Sequence, residues 1–571
     1  MDQLFKLVWR NSYLRNCIHI QLSLIKTIMI RYLYQLENKY QYLKTLDRRS
    51  NRILYDIKSD VEHHLFINSP YRHLVTHLIV AYHLLDYYRF NKDIVIYGVS
   101  IQYNPPSFDF EDIPKTVKYI RAKDESFLCH FSKIASLTFL DITYRKFIKP
   151  ITIPQLRYLR LRSSERITLT KGIFPQSLTY LKVVGPTTCC LKDMIFPSNL
   201  KYLDLGYQFN GVLSEQALPN GLRYLDLGDN REHVKINSIP KSVVSLRMGT
   251  WFKQNIEPDL LPSNLTYLNL GNSFKQRISQ GVLTQSLKTL VVGFGCRSLT
   301  FNDHIPSSVT TYIANNYKEN DEPIFIPPNS ENIRLYIDSQ KSYTLPPIPN
   351  CKSLLINTEA LQLLNEPKSL FTNCLTTLSF GFNRVLVPGD IPQSVTNLSI
   401  NAQGILPNTI PSSVKTLELA LKSDWTPINI IPDSVTKLII GEIIQLEQLE
   451  IPTSVTKLVV KNTQTNLQKI NVPSSVTSLS SPKPFKNYSL PNIRIIKSQS
   501  YNQRELFHQL GIKEDSFKHT PQFPKTLAMI KSISIGSYDL YYFESLTQLD
   551  NILVYKETYK SKDKDTLPVM I

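Results

Sequence analysis

Residues Phe196 to Gly206 read Phe-Pro-Ser-Asn-Leu-Lys-Tyr-Leu-Asp-Leu-Gly, and Leu218 to Gly228 read Leu-Pro-Asn-Gly-Leu-Arg-Tyr-Leu-Asp-Leu-Gly. The shared frame is apolar-Pro-x-x-Val/Leu-x-x-Leu-x-Leu/Ile-Gly, and it occupies the chain from Ile113 onward. Clear copies begin at Pro114, Pro175, Pro197, Pro219, Pro240, Pro262, Pro306, Pro392, Pro411, Pro432, Pro452 and Pro473. From Pro175 to Pro262 the intervals are 22, 22, 21 and 22 residues; from Pro392 to Pro473 they are 19, 21, 20 and 21. Degenerate copies near Ile134, Pro154, Leu283, Pro327, Pro349, Thr372 and Pro491 bring the number to about 19. A period sustained this long predicts a solenoid rather than a domain closed around one core.

The chemistry of one unit explains its consensus. Pro fixes φ and lacks a donor, so it belongs at the corner before a strand. Leu-x-Leu has the two-residue period of a strand with both Leu facing inward. Gly ends the strand where a positive φ is expected. The return segment carries Phe209, Phe252, Phe274 and Phe382, expected to point inward. One unit cannot bury its own apolar side, so stacking must do so, and stacking predicts a long parallel sheet. Ser recurs just before the Val or Leu that follows Pro. Its recurrence marks it as a turn residue capping its own backbone, not a nucleophile.

The ends of the chain read differently. Before Pro70 proline is nearly absent, and Ile28, Leu33, Leu36, Tyr40 and Leu43, then Leu74, Leu78, Ala81 and Leu85, fall at helical spacing. His73 and His77 could share one helix face. Asp93 to Tyr103 reads as a strand, and Asn104-Pro-Pro breaks the chain before the array. After Ser498 the frame fades: Arg504 to Leu510 reads as a short helix, one partial copy from Phe523 leads into Met529 to Gly536, and Asp539 to Phe543 and Asn551 to Tyr555 read as the strands of a hairpin. The expected fold is therefore α+β: a helical N-terminal domain or cap over 1–110, a leucine-rich-repeat-like parallel-sheet solenoid over 111–497, and a C-terminal β cap over 498–571. Caps are needed because an open solenoid end exposes an unpaired strand.

The frame, with Gly206-Tyr-Gln-Phe-Asn210 before Leu218-Pro219 and Gly271-Asn-Ser-Phe274 before the next unit, resembles the FNIP repeat, roughly Ile-Pro-x-Ser-Val-x-x-Leu-x-Leu-Gly-x-x-Phe-Asn. Ile391-Pro-Gln-Ser-Val-Thr-Asn-Leu-Ser-Ile and Ile431-Pro-Asp-Ser-Val-Thr-Lys-Leu-Ile-Ile-Gly match its first half. The resemblance covers residues 113–497; Phe-Asn survives clearly at Phe209-Asn210 and, shifted, at Phe382-Asn383. It implies a leucine-rich-repeat-like solenoid with a protein-binding role and carries over no catalytic residues. Some relatives pair the repeats with an N-terminal F-box. The opening Leu4 to Arg15 is apolar and helical in spacing but lacks the Leu-Pro start usual in F-boxes. The alternative function that follows is a substrate-recognition adaptor of a ubiquitin ligase.

Composition narrows the chemistry. Apolar residues are 42% and charged residues 20%, a globular balance. The seven Cys are scattered, without Cys-x-x-Cys, which argues against a disulfide framework or structural zinc and suits a reducing compartment. Adjacent Cys189 and Cys190 read as semi-buried thiols of a return loop. No signal-peptide core or membrane-spanning run is present, so the expectation is a cytoplasmic protein without a membrane partner. His63, His64, His73, His77 and His83 have no converging Glu or Cys, so they read as structural or solvated rather than as metal ligands. P-loop, dinucleotide loop, nucleophile elbow and zincin motifs are absent. We expect no enzyme activity, cofactor or metal.

The candidate site is the outer strand face. Five residues after each Pro, or its equivalent, stand Tyr119, Phe139, Tyr158, Tyr180, Tyr202, Tyr224 and Tyr267, with Ser245 interrupting; two residues further stand Arg121, Asp141, Arg160, Lys182, Asp204, Asp226, Arg247 and Asn269. In the second half the first column continues as Asn332, Ser353, Thr377, Asn397, Thr416, Lys437 and Lys457. Stacked Tyr rings would stabilise the sheet; Tyr beside Arg is also the composition of interface hot spots. The two readings are compatible. The net charge of +18 favours acidic partners, but alternating Arg/Lys and Asp suits a protein better than a phosphate backbone. The expected function is a non-enzymatic scaffold binding an unidentified protein on a concave face through Tyr158, Arg160, Tyr180, Lys182, Tyr202, Asp204, Tyr224, Asp226, Arg247 and Tyr267. Tyr202 and Asp204 are expected to point outward and to be free to vary.

Overall fold

The corner that opens each coil is a hydrogen-bonded turn set by the repeat proline. In the computed structural model the Pro carbonyl accepts the amide three residues on, as in Leu200 N to Pro197 O (3.0 Å), Leu222 N to Pro219 O (3.0 Å) and Val435 N to Pro432 O (3.1 Å). Proline can do this because it lacks only the donor. The structure describes residues 27–30, 33, 36, 40–44, 52–57, 60–80, 95–101, 113–123, 125, 128–144, 150–165, 167–169, 171–188, 196–207, 209, 211–293, 304–317, 326–337, 347–358, 373–422, 429–443, 449–461, 472–481, 495–498, 532–535, 539–543 and 552–555.

Two compact units contain the chain: Lys118–Thr477, and Met1–Val117 together with Ser478–Ile571. In the first, strands run from Tyr119–Ala122 to Lys457–Val460, each paired parallel with the next. The inward Leu of every strand is buried, as at Leu203, Leu205, Leu225, Leu246 and Leu268, and the expected inward Phe209, Phe252 and Phe274 are buried beneath them. Phe252 and Phe274 stack at 5.7 Å. Phe382 falls within the strand Thr377–Leu386 rather than in a return segment, and its side chain lies outside the described residues. The result is a leucine-rich-repeat-like parallel β-solenoid with almost no helix. The expected count of about 19 coils includes copies near Thr372 and Pro491, residues that lie outside the described ones.

Glycine divides the array into two styles of coil. Gly206, Gly228, Gly249 and Gly271 have φ of 83°, 62°, 100° and 76°, and end strands only three residues long. Past Gly293 most coils lack this Gly at the strand end, and the strands lengthen to 10 residues at Thr377–Leu386 and 9 at Asn397–Ile405. A second column of positive φ lies three residues before eight of the Pro corners or their equivalents: Gly172, Gln216, Asn237, Asp259, Gly281, Gly389, Asn408 and Asn429. Several are the third residue of a turn closed from the first to the fourth, as in Glu257-Pro258-Asp259-Leu260 and Leu406-Pro407-Asn408-Thr409. Pro second and left-handed third is a type II turn. The consensus frame did not include this column.

The recurrent Ser does not cap its own backbone. It donates to a carbonyl of the preceding coil: Ser394 to Leu375, Ser413 to Val395, Ser434 to Val414, Ser454 to Val435 and Ser475 to Val455, all at 2.7–2.8 Å. Cys374 occupies the same place and its thiol reaches the Cys351 carbonyl at 3.2 Å. The accepting carbonyl stands one residue before the position where the strand ladder begins, so the side chain extends the inter-coil bonding into the corner.

In the other unit the expected helical positions Leu33, Leu36, Tyr40 and Leu43 are helical, whereas others counted with them lie in strands, and residues 1–26 and 81–94 lie outside the described residues. Thr27–Ile30, Arg52–Ile57, His77–Val80 and Gly98–Ile101 form a parallel sheet, and Asp60–Asn68 is a helix among the described residues. Leu78 and Ile28, counted as helical positions, sit in β-branched stretches (Thr-Ile-Met-Ile and His-Leu-Ile-Val) that extend instead. His73 lies in a 3-10 turn and His77 in a strand, so they do not share a helix face. The expected strand near residues 93–103 is present as Gly98–Ile101. At the far end Ser478–Ser481, Ile495–Ser498 and Ser532–Ile535 pair parallel, and Asp539–Phe543 pairs antiparallel with both Ser532–Ile535 and Ile552–Tyr555. Thr27–Ile30 neighbours Ile552–Tyr555, which places both ends of the chain in one unit. Leu4 to Arg15, Cys189-Cys190 and Arg504 to Leu510 lie outside the described residues.

A Cβ at residue 228 would collide with the Gly206 carbonyl oxygen, whereas one at residue 281 meets nothing within 4 Å. Gly228→Ala should therefore cost clearly more than the roughly 1–2 kcal/mol left-handed penalty expected of Gly281→Ala. Gln216→Gly, which relieves the same penalty, should stabilise by up to about 1 kcal/mol. Urea unfolding followed by hydrogen exchange in the affected coil checks the order Gly228→Ala, Gly281→Ala, wild type, Gln216→Gly.

Candidate functional site

In-register parallel pairing turns each outward column into a row of adjoining side chains. Tyr119, Phe139, Tyr158, Tyr180, Tyr202 and Tyr224 pair residue to residue across successive strands. Their ring centroids are 4.7, 5.9, 5.7, 4.1 and 4.1 Å apart in that order. The Tyr202 and Tyr224 rings lie within 3° of parallel. Such contacts add about 0.5–1.5 kcal/mol per pair beyond area burial. The Tyr column is thus a structural ladder with half-buried rings. Register continues through Ser245 to Tyr267, also half-buried, and through Thr311, Asn332, Ser353, Thr377, Asn397, Thr416, Lys437 and Lys457.

The charged column is largely paired within the protein. Asp141, only 1% exposed, accepts from Arg162 Nε at 2.7 Å and Nη2 at 3.1 Å, with Arg121 Nε 3.7 Å away. Lys182 Nζ lies 3.2 Å from Asp204, and Arg247 Nη1 3.2 Å from Asp226. Arg160 is buried. Asp204 and Asp226 also accept the amides of Gly206 (3.0 Å) and Gly228 (2.9 Å), and Asn269 accepts that of Gly271 (2.8 Å). This corrects the expectation for Asp204. An Asx turn onto the strand-ending Gly folds the carboxylate back and buries it, so it is not a free outward variable. Tyr202 is likewise committed to its two ring neighbours.

Burial holds the Asp204 carboxyl above the usual carboxylate range, and Asp226 pushes the same way against Lys182 and the Gly206 amide. The Tyr202 and Tyr224 phenols are raised, first by burial and then by neighbouring acidic groups. For Arg247 burial works against the charge, but Asp226, Tyr224 and Tyr267 outweigh it and its affinity for the proton rises. What the face leaves accessible is cationic and aromatic: Arg121, Arg157, Lys201, Arg223 and Arg247 are exposed. Tyr207 (54% exposed) and Trp251 (40%) stand just beyond the strand-ending Gly, and the Arg231 guanidinium lies 4.8 Å from the Trp251 ring centre. These three were missed by the columns. Their signal is an aromatic or cation one to three residues after the strand-ending Gly, where no inward position is due.

Among the described residues His64 bonds Asn68, His73 bonds the Pro70 carbonyl and His77 bonds Thr76. No group of three or more His, Cys, Asp or Glu among them could hold a metal ion, and no helix is long and apolar enough to cross a membrane. Burial pushes the Cys351 thiol up to about 12.

These features define a leucine-rich-repeat-like solenoid. The FNIP Repeat family model matches this chain at three places, residues 190–230, 252–295 and 382–422. No curated protein matches. Among solved structures, CroV588, described as a novel circular leucine-rich-repeat protein, is 18% identical over 80% of each chain with a TM-score of 0.49. YopM, a leucine-rich effector protein from Yersinia pestis, is 17% identical over 55% of this chain and 86% of its own, TM-score 0.30. A TDR receptor is 13% identical over 75% and 89%, TM-score 0.25.

Asp204 binds its proton more tightly folded than unfolded. Its contribution is therefore fully favourable below the unfolded value near 3.8 and is lost as pH rises through the folded value. Asp204→Asn keeps the turn acceptor, as Asn269 does, and should flatten the fall in thermal midpoint as pH rises above the unfolded value. Asp204→Ala strands the Gly206 amide and should cost about 1–3 kcal/mol at either pH.

Proposed function

We propose that the protein is a non-enzymatic interaction scaffold that binds a protein segment along the outer strand face of the coils from Tyr158 to Tyr267. The observation that supports this most is the rigidity of that face. Its tyrosines are stacked, its carboxylates are pinned by Arg, Lys and Gly amides, and its exposed cations stand on a fixed repeat. Ordering these side chains is a cost met in folding, so a ligand need not meet it on binding. Tyr and Arg are the side chains that concentrate binding energy. Aspartates interleaved with the cations break up the uniform positive field that a phosphate backbone would need.

A photo-crosslinking amino acid at exposed position 223 or 247 should trap a discrete protein from cells, and the same group at Lys275 on the return segment should not. Equal capture from both sides, or none from the strand face, would remove this reading.

A further inference from the structure

The ladder has one missing rung. Tyr224, Ser245 and Tyr267 are directly paired neighbours on three successive strands, so the two tyrosines face each other across a serine. Among the described residues no ring contact joins them, although each earlier pair from Tyr119 to Tyr224 is in contact. Strands lie about 4.8 Å apart, which sets the two tyrosines about 9.6 Å apart. A planar group packs about 3.5–4 Å from each wall, so the gap has the width of one ring. Ser245 is half-buried and forms its floor. Arg247 stands at one lip, paired with Asp226 at 3.2 Å, hydrogen-bonded to Tyr224 and close to Tyr267, so it joins the two walls along that edge. The rim along the other lip is cationic. The corner segments 197–201, 219–223, 240–244, 262–266 and 284–288 carry exposed Lys201, Arg223, Lys241 and Lys288 and no carboxylate.

We propose that this gap is a receiving slot for one aromatic side chain of an acidic partner segment, which completes the ladder between Tyr224 and Tyr267 while its carboxylates meet the cationic rim. The slot rests on the scaffold reading and assigns that scaffold a specific anchor. Sandwiching gives the ring two aromatic faces at once, and the rim selects the charge of its neighbours.

The test uses the full chain and a dye-labelled peptide, Asp-Glu-Trp-Glu-Asp, with a Leu-centred and a Lys-flanked version as comparators, read by fluorescence anisotropy. Wild type and Ser245→Ala, which keeps the slot open, should bind the Trp-centred acidic peptide at least tenfold more tightly than either comparator. Ser245→Tyr places the missing ring in the slot. It should lose at least tenfold in affinity while its thermal midpoint stays level or rises, so the loss is not unfolding. Equal binding of the Leu-centred peptide, unchanged binding by Ser245→Tyr, stronger binding of a thymidine oligonucleotide, or no binding to wild type up to millimolar peptide would each overturn the slot. A protein crosslinked at position 223 and unaffected by Ser245→Tyr would overturn the slot and leave the scaffold standing. Loss of strand-face crosslinking in wild type would remove both.

Discussion

The repeating structure depends on one interaction, the parallel backbone ladder between a coil and the next. A strand amide finds its carbonyl only on the neighbouring coil, and the bond pattern permits one register. Tyr202 therefore faces Tyr180 on one side and Tyr224 on the other, and Asp204 faces Lys182 and Asp226. Whatever the sequence places at one position of the repeat is brought next to its own copies. A side chain that favours contact with itself accumulates benefit along the array, and one that repels itself accumulates a penalty.

The columns show both outcomes. Ser before the inward Val extends the ladder into the corner, rung after rung. Tyr stacks. The charged column could not carry Asp in every coil, since like charges facing one another destabilise a sheet. It mixes signs instead, with Asp141 between Arg121 and Arg160, Lys182 beside Asp204, and Asp226 beside Arg247, although Arg160 also faces Lys182. The one place where two carboxylates do face each other, Asp204 and Asp226, is where a carboxyl resists ionisation. The Asx turn onto Gly explains why the acid is retained there.

The periodic part of the fold was legible because it is local: Pro, Leu-x-Leu and Gly each act within one coil. The paired columns followed by counting, and register placed them as counted. What stayed hidden needed knowledge of the neighbouring coil or of a weak position. Ser was misread as bonding its own backbone because its acceptor is about 20 residues away. Asp204 was read as free because the Gly that folds it back had been assigned only to chain direction. The left-handed column three before Pro is filled by Gln, Asn, Asp and Gly, which look like ordinary loop composition until φ is known. At the N-terminus, strands of four to six residues were outweighed by apolar spacing counted over longer windows.

A repeat is informative where it breaks, provided the break leaves the coil intact. Loss of Gly at the strand end after Gly293 changes the coil itself, since the strands from Thr311–Tyr317 to Lys437–Ile443 then run on for six to ten residues. Ser245 changes nothing in the coil. Its strand keeps the three-residue length of its neighbours, its Leu246 is buried, and Gly249 ends it with positive φ. Folding pressure on that position favours another tyrosine, because a ring there would gain two stacking partners. A small polar residue where both neighbours are aromatic forgoes that stacking; Arg247, two residues on, contacts Asp226 and Tyr224 but supplies no ring, and this is the physical ground for assigning the gap to a ligand rather than to the fold.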